Sequence, residues 1–176
     1  DHRDLHLSIR RQRQMCIETV VLGVGGIGAS ALIAAKKKQA NPIIAVDIDD
    51  QKLKWAKELG ATHTFNAKSQ DILSEVRKLT ENKGVDHAIE ASGTKQAMEL
   101  GHQLVKDGGG HLVIAGNLSA GEKINIDPFD FIKGKRISGT VGGSTKPEVD
   151  FAQYGEWQTQ GQFPFEKLIH KVYSLN

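Results

Sequence analysis

The chain has 176 residues, of which 39% are hydrophobic and 25% charged, a composition that is typical of a folded globular protein and excludes a disordered one. The formal net charge of +2 comes from a basic segment, residues 1–16. Residues 17–176 hold 19 basic and 19 acidic residues, and this balance of charge disfavours a nucleic-acid partner. With a single cysteine, no secretory signal and no apolar run of roughly 18 residues, the sequence predicts a cytoplasmic protein without membrane contact.

Strands and helices are predicted to alternate from residue 17 onward, after residues 1–16, which we interpret as a basic N-terminal arm of unclear origin. The apolar run Ile17–Leu22 predicts a strand, and the small residues from Ala29 onward predict a helix. A second strand is predicted over Ile43–Val46, and Asp47 ends it.

The alternation continues through the middle of the chain. Asp49 and Asp50 are predicted to open a helix that Gly60 ends. A short strand is expected over His63–Phe65, and Ser69 is predicted to cap the helix that follows it. The pattern therefore repeats one strand and one helix without long loops.

Three further strands are predicted over Val85–Ala91, Leu112–Ala115 and Arg136–Val141, and residues 146–176 predict a helix and then a strand over Leu168–Tyr173. Because strands that alternate with helices form βαβ units, we expect a doubly wound α/β domain with a parallel sheet. We place this domain at residues 17–145, with six strands in the order 3-2-1-4-5-6.

The turn after the first predicted strand carries the spacing Gly23-x-Gly25-x-x-Gly28. This spacing is weak by itself, but here it follows an apolar strand, it precedes a helix, and Asp47 ends the next strand 19 residues after Gly28. Gly23 allows the tight turn, Gly25 lets a pyrophosphate approach the backbone, and Gly28 lets the helix pack close to the sheet. The turn therefore predicts that a dinucleotide binds at the helix N-terminus.

Two other interpretations of the turn stay open. It could pack a helix on a strand without any ligand, with Asp47 as a solvated strand end. It could also bind S-adenosylmethionine, but methyltransferases usually carry an acidic residue just before the glycines, where this chain has Val20, Val21 and Leu22. Asp47 would favour NAD over NADP, because a phosphate on the adenosine ribose would meet its carboxylate and no arginine follows it.

Three segments carry a resemblance to a known family: VVLGVGGIGASALIAAKK, IIAVDIDDQKLKWAKELGATHTFN and GVDHAIEASG. Together with PFDFIKGKRISGTVGG they resemble the NAD-binding Rossmann domain of medium-chain, zinc-type alcohol dehydrogenases over residues 19–143. Residues 144–174 are similar, more weakly, to the segment that returns to the catalytic domain in that family, and residues 1–16 do not match.

The resemblance implies NAD-dependent transfer of hydride between the cofactor and an alcohol or aldehyde, and it implies cofactor contacts beyond the glycine turn. Ile48 and Lys52 would flank the adenosine, residues 91–93 would border the adenine, and Ile27 and residues 115–117 would lie near the nicotinamide. The full set of expected cofactor-binding residues is Gly23, Gly25, Gly26, Ile27, Gly28, Asp47, Ile48, Lys52, Ala91, Ser92, Gly93, Ala115, Gly116, Asn117, Thr140 and Val141.

Zinc is expected only in the catalytic domain, which we take to be absent from this chain. The family builds its zinc site from cysteine and histidine upstream of the cofactor domain, whereas this chain has one cysteine, Cys16, and its histidines lack the spacing of metal ligands. We therefore expect neither catalytic nor metal-binding residues here. The chain alone should be inactive, so a non-catalytic dinucleotide-binding module is the alternative to an enzyme.

A homodimer is expected through the sixth strand, Arg136–Val141. In the expected order this strand lies at the sheet edge, and a bare edge promotes pairing with another chain. The resemblance implies that two copies join these edges across a two-fold axis. Alternatively, residues 144–176 would fold over the edge and keep the chain monomeric.

Overall fold

The structure is a computed structural model that describes residues 17–169 and 172–174. The expected arm, residues 1–16, lies outside the described residues. The chain divides into a first unit that ends at Thr140 and a second that begins at Val141. None of the helices within the described ranges is both long enough and apolar enough to cross a membrane.

The first unit is built on a six-stranded parallel sheet with the order β3-β2-β1-β4-β5-β6, which confirms the expected doubly wound fold and strand order. The order reverses between β1 and β4, so the switch point lies beside the glycine turn. The strands are β1 (Thr19–Leu22), β2 (Ile43–Asp47), β3 (His63–Asn66), β4 (His87–Glu90), β5 (His111–Ile114) and β6 (Arg136–Gly139).

Helices lie on both sides of this sheet. The helices of the first unit are α1 (Gly26–Lys37), α2 (Asp50–Leu59), α3 (Ile72–Leu79), α4 (Lys95–Leu104) and the short α5 (Phe129–Ile132). Helices α1 and α2 pack on each other and on β1, β2 and β3, and α3 and α4 form a second packed pair. The α1–α2 pair therefore packs on one face of the sheet, and the α3–α4 pair packs on the other.

The main core lies between the sheet and the α3–α4 layer. It contains branched aliphatic side chains from four strands and both helices, because alternate residues of a strand face the same side. Its buried members are Val20, Leu22, Ile44, Val46, Ile72, Val76, Val85, Ala88, Leu104, Val105 and Leu112.

The cap of α3 differs from the sequence prediction. Asp71, not Ser69, is the N-cap, and its Oδ1 accepts a hydrogen bond from the Ser74 N–H at 3.3 Å. Ser69 lies in a turn, where its N–H donates to the Asn66 carbonyl at 3.1 Å. Because that turn uses the backbone of residue 69, the helix begins only at Ile72.

The second unit contains α6 (Pro147–Thr159) and 3₁₀-helices over Gly142–Ser144 and Phe165–Leu168. Phe163 is buried, with ring centroids 4.6 Å from Phe165 and 6.4 Å from Trp157. The strand expected over Leu168–Tyr173 is not formed in its described residues. The first of them belongs to a 3₁₀-helix in which Lys167 N–H donates to the Pro164 carbonyl at 3.0 Å.

Candidate functional site

The predicted cofactor-binding residues of the first unit gather at one edge of the sheet, because the strands are parallel and these residues follow their carboxyl ends. Lys52 lies in the first turn of α2, and Val141 belongs to the second unit. The residues that follow strands are Gly23, Gly25, Gly26, Ile27 and Gly28 after β1, Ile48 after the terminal Asp47 of β2, Ala91, Ser92 and Gly93 after β4, Ala115, Gly116 and Asn117 after β5, and Thr140 after β6.

The three glycines of the turn have different surroundings. Gly23 has a φ of +92°, and a Cβ there would lie 2.8 Å from Ser92. A Cβ on Gly28 would overlap the Gly23 carbonyl oxygen. Around Gly25, by contrast, a Cβ would meet nothing within 4 Å. Gly23 and Gly28 therefore close the turn, whereas Gly25 faces open space beside the N-terminus of α1, as a backbone that receives a phosphate must.

Asp47 ties the glycine turn to the loop after β2. Its Oδ2 accepts the Val24 N–H at 2.7 Å, and its Oδ1 accepts the N–H groups of Ile48 at 2.7 Å and Asp49 at 3.0 Å. The side chain is nearly buried, with 8% exposure. Because a carboxylate has about four acceptor positions, the one left open is on Oδ2. A ribose hydroxyl that reaches Asp47 would meet that oxygen.

A cavity of about 540 Å³ opens beside this acid, between the carboxyl ends of β1 and β2 and the first turns of α3 and α4. This volume is in the range of small-molecule and cofactor sites. Four predicted residues line it: Gly23, Asp47, Ile48 and Ser92. The other residues of the wall were not predicted from the sequence; they are Leu22, Val46, Ala67, Gln70, Asp71, Ile72, Leu73, Thr94, Gln96, Ala97 and Leu100.

The loops after β4 and β5 contact each other. A Cβ on Gly93 would lie 2.8 Å from the Asn117 carbonyl oxygen, and a Cβ on Gly116 would overlap the Gly93 nitrogen. Beneath both loops lies Glu90, the last residue of β4, which is completely buried and was missed by the sequence analysis. The available signal was an acidic residue that follows Ala88 and Ile89 within the predicted strand Val85–Ala91. A carboxylate buried in a sheet is rare unless it is hydrogen-bonded.

The resolved pKa shifts lie elsewhere in the molecule. Burial lowers the pKa of His102, and the Lys135 charge adds to this, while Asp130 opposes it. A hydrogen bond from Lys133 lowers the pKa of the Asp130 carboxyl. Within the described residues, no three His, Cys, Asp or Glu side chains are grouped so that they could hold a metal ion. This part of the chain therefore does not fit a zinc centre.

Comparison with known proteins gives a consistent result. The family model described as zinc-binding dehydrogenase matches residues 26–159. An S-(hydroxymethyl)glutathione dehydrogenase from Synechocystis sp. is 35% identical over 157 residues, which are 88% of this chain and 42% of that protein. Benzyl alcohol dehydrogenase from Acinetobacter calcoaceticus has a similar structure, with a TM-score of 0.83, 36% identity, and coverage of 87% of this chain and 42% of the other.

A third relative is a zinc-binding dehydrogenase from Sinorhizobium meliloti 1021 whose crystal structure is bound to NADP, with a TM-score of 0.78 and 26% identity over 86% of this chain and 44% of that chain. The chain spans less than half the length of the curated relatives, 44% of one and 41% of another. The similarity therefore supports a dinucleotide cofactor for the part of these enzymes that this chain matches.

Proposed function

Because this chain belongs to the zinc-binding dehydrogenase family, we propose that its first unit is the NAD(H)-binding domain of an oxidoreductase that acts on an alcohol or aldehyde. NAD would accept hydride from the alcohol, or NADH would donate it to the aldehyde. The observation that carries this proposal is the glycine turn joined to Asp47 by the 2.7 Å hydrogen bond from Val24, at the switch point of the sheet.

The residues of this unit would bind and orient the cofactor. The open backbone at Gly25 would receive the pyrophosphate, Asp47 would accept a ribose hydroxyl, and the apolar cavity would take the adenosine. The side chains of Ile27 and Ile48 are 54% and 56% exposed, and a bound dinucleotide would cover apolar surface that water now contacts. Residues 115–117 and Thr140 would face the nicotinamide.

We further propose that this cofactor is NAD rather than NADP. A ribose phosphate would meet Asp47, which a 2.7 Å hydrogen bond fixes in place, and Asp49 and Asp50 follow it. Calorimetric titration should show that NAD binds about 100-fold more tightly than NADP, since like-charge contacts cost several kcal/mol. Equal or tighter binding of NADP would refute the assignment.

The Asp47→Ser variant tests the cause of this preference. It removes the charge, so the ratio of NAD to NADP affinity should fall even though both affinities drop with the loss of three backbone hydrogen bonds. Asp127→Ser is the matched control. Asp127 also caps a turn, with Oδ1 accepting from the Phe129 N–H at 2.9 Å, but it does not line the cavity, so its loss should leave the ratio unchanged.

We propose that the zinc of the family is held by residues outside the first unit, and that the 176-residue chain binds the dinucleotide without turning over substrate. Elemental analysis of the purified chain should give less than one zinc per chain. Assays with simple alcohols and NAD should remain at background. Turnover together with one bound zinc would show instead that the chain is a complete enzyme.

We also propose that two copies of the chain form a homodimer through β6, whose outer edge has backbone groups that do not face β5. The N–H groups of Arg136 and Thr140 donate to Gly110 and Ile114 on the β5 side, at 2.8 and 3.0 Å. Because N–H directions alternate along a strand, the N–H groups of Ile137 and Gly139 point away from β5. Two copies could pair through these outward groups around a two-fold axis.

The Gly139→Pro variant removes one outward N–H and leaves the pairing with β5 intact. Light scattering at roughly micromolar concentration should report two chains for the wild type and one for this variant. Gly139→Ala keeps the N–H, and a Cβ there lies 3.8 Å from the nearest atom, the Ile114 oxygen, so this control should stay dimeric. A wild-type chain that is monomeric at every concentration would exclude the interface.

A further inference from the structure

Glu90, the last residue of β4, has a carboxyl group with no exposed surface. We infer that Glu90 is a positioning residue that fixes the loops after β4 and β5 relative to each other, and thereby aligns the two halves of the cofactor cleft. The inference rests on the proposed function, because it takes the ligand of the cleft to be a dinucleotide.

One carboxylate oxygen holds the loop after β4. Glu90 Oε1 accepts hydrogen bonds from the N–H groups of Ser92 and Gly93, both at 2.8 Å, and from the Ser92 hydroxyl at 2.6 Å. Hydrogen bonds to an ionised acceptor are roughly twice as strong as those between neutral groups. The path of residues 91–93 is therefore set by the position of this carboxylate.

The backbone of the same residue holds the loop after β5, and its side chain packs against that loop. The Glu90 carbonyl oxygen accepts the N–H groups of Ala115 at 2.8 Å and Gly116 at 3.0 Å. Glu90 Oε2 is buried and has no hydrogen-bond partner among the residues that the structure describes. A Cβ on Gly116 would lie 2.5 Å from this oxygen. The second loop therefore packs on the carboxyl group with no room for a side chain.

The contacts between the loops make their positions interdependent. Gly93 lies against the Asn117 carbonyl, and Ser92 lies against Gly23 of the glycine turn. The proposed adenosine side, at Ser92, and the proposed nicotinamide side, at Gly116 and Asn117, therefore share one anchor. A change at Glu90 should disturb a ligand that spans both sides more than a ligand that occupies only one.

The Glu90→Gln variant tests this, because it keeps the side-chain shape and removes the charge. Calorimetric titration well below the unfolding temperature would compare AMP, which occupies only the adenosine side, with NAD, which spans both. Because charge-assisted hydrogen bonds are lost, we expect NAD affinity to fall about tenfold and AMP affinity about two- to threefold.

The Thr80→Val variant is the matched control. Thr80 is also buried, its hydroxyl donates to the Val76 carbonyl at 3.0 Å and accepts from the Gly84 N–H at 3.1 Å, but it lies before β4, at the opposite end of the sheet. This variant should unfold at a lower temperature and keep both affinities. An E90Q protein that loses thermal stability but binds NAD within twofold of wild type would show a merely structural role and overturn the inference.

If E90Q does not fold, a second variant that keeps the Glu90 carboxylate can test the same inference. Gly116→Ala puts a methyl group against both the Gly93 nitrogen and Glu90 Oε2, so it pushes the two loops apart and should also weaken NAD binding more than AMP binding. Equal losses of the two affinities would contradict the inference. Failure of the wild-type chain to bind NAD at all would instead refute the proposed function, so the two failures are distinguishable.

Discussion

The two halves of the sheet, β3-β2-β1 and β4-β5-β6, are paired in the same parallel way but are buried to different extents. Every residue of β1 and β2 is buried, and the edge strand β3 is half-buried throughout. In β5 only Leu112 is buried, and three of the four residues of β6 are exposed. In the first half, helix layers cover both faces. In the second half, Ala88 and Leu112 on the α4 side are buried, while their neighbours on the other face, such as His111 and Val113, are only half-buried.

The halves also differ in the chemistry of their interiors. The interior beside β1 and β2 is mainly aliphatic, with Asp47 at its rim. The second half encloses three ionisable side chains, Glu90, His102 and Lys135, and the Lys135 ammonium donates to the His102 carbonyl at 3.1 Å. The interior of the first half is therefore mainly apolar, whereas that of the second half combines apolar and ionisable side chains.

The largest effect should come from a methyl group added where the first half is most crowded. In the Gly28→Ala variant the new Cβ would overlap the Gly23 carbonyl oxygen, so α1 must move away from β1. We expect the free energy of unfolding to fall by about 3 kcal/mol, measured by urea denaturation.

Gly25→Ala is the control within the same turn. Gly25 has an ordinary φ of −94° and open space around its Cβ position, so stability should change by less than about 0.5 kcal/mol. NAD affinity should nevertheless fall at least tenfold, about 1.4 kcal/mol, because the methyl group would occupy the place of the pyrophosphate. Equal losses of stability in the two variants would contradict the difference in packing between the crowded Gly28 and the open Gly25.

A smaller difference in the loss of stability is expected between two valines that lie side by side across the sheet. Val21 and Val113 flank Ile89 in register and face the same side, but Val21 has 0% exposure and Val113 is half-buried. We expect Val21→Ala to cost about 2 kcal/mol of unfolding free energy and Val113→Ala less than about 1 kcal/mol. If both substitutions cost the same, another part of the protein covers the second half in solution.

The smallest effect should be the pH dependence of stability that arises from His102, in the second half of the sheet. Burial and Lys135 lower the pKa of His102 below its ordinary value of 6.5 in the folded state, so the unfolded chain binds protons more readily. The contribution of His102 to stability should therefore be complete above pH 6.5 and be lost as the pH drops from 6.5 toward the lower folded-state pKa.

Thermal unfolding of the wild type and of His102→Gln between pH 8 and pH 5 measures this dependence. The groups around the ring are Asp130, whose Oδ2 lies 3.3 Å from Nε2, the Lys135 charge, and the Phe131 ring with its centroid at 5.5 Å. The variant should lose less stability below pH 6.5 than the wild type. An unchanged slope would show that other groups carry the acid sensitivity.

Features set by local sequence could be predicted, and features set by distant contacts could not. The alternation of elements and the helix that opens at Asp49 and Asp50 follow from short patterns, and the Asp49 Oδ1 accepts the Gln51 N–H at 2.8 Å. The strand order could be predicted because the sequence resembles a family with that fold. Asp71 was missed as a cap because the turn at Asn66 uses the backbone around Ser69. Glu90 and the cavity wall were missed because their surroundings are assembled from strands and helices far apart in the chain.

The hydrogen bonds of Asp47 constrain how such a protein could change its cofactor. The residue whose charge would discriminate against a ribose phosphate also fastens the glycine turn to the loop after β2 through Val24, Ile48 and Asp49. A substitution of Asp47 that admits the phosphate therefore also lowers the stability of the protein. In evolution or in design, stabilising substitutions elsewhere in the protein must come first. We expect stabilised backgrounds, such as consensus variants, to tolerate that exchange where the wild type does not.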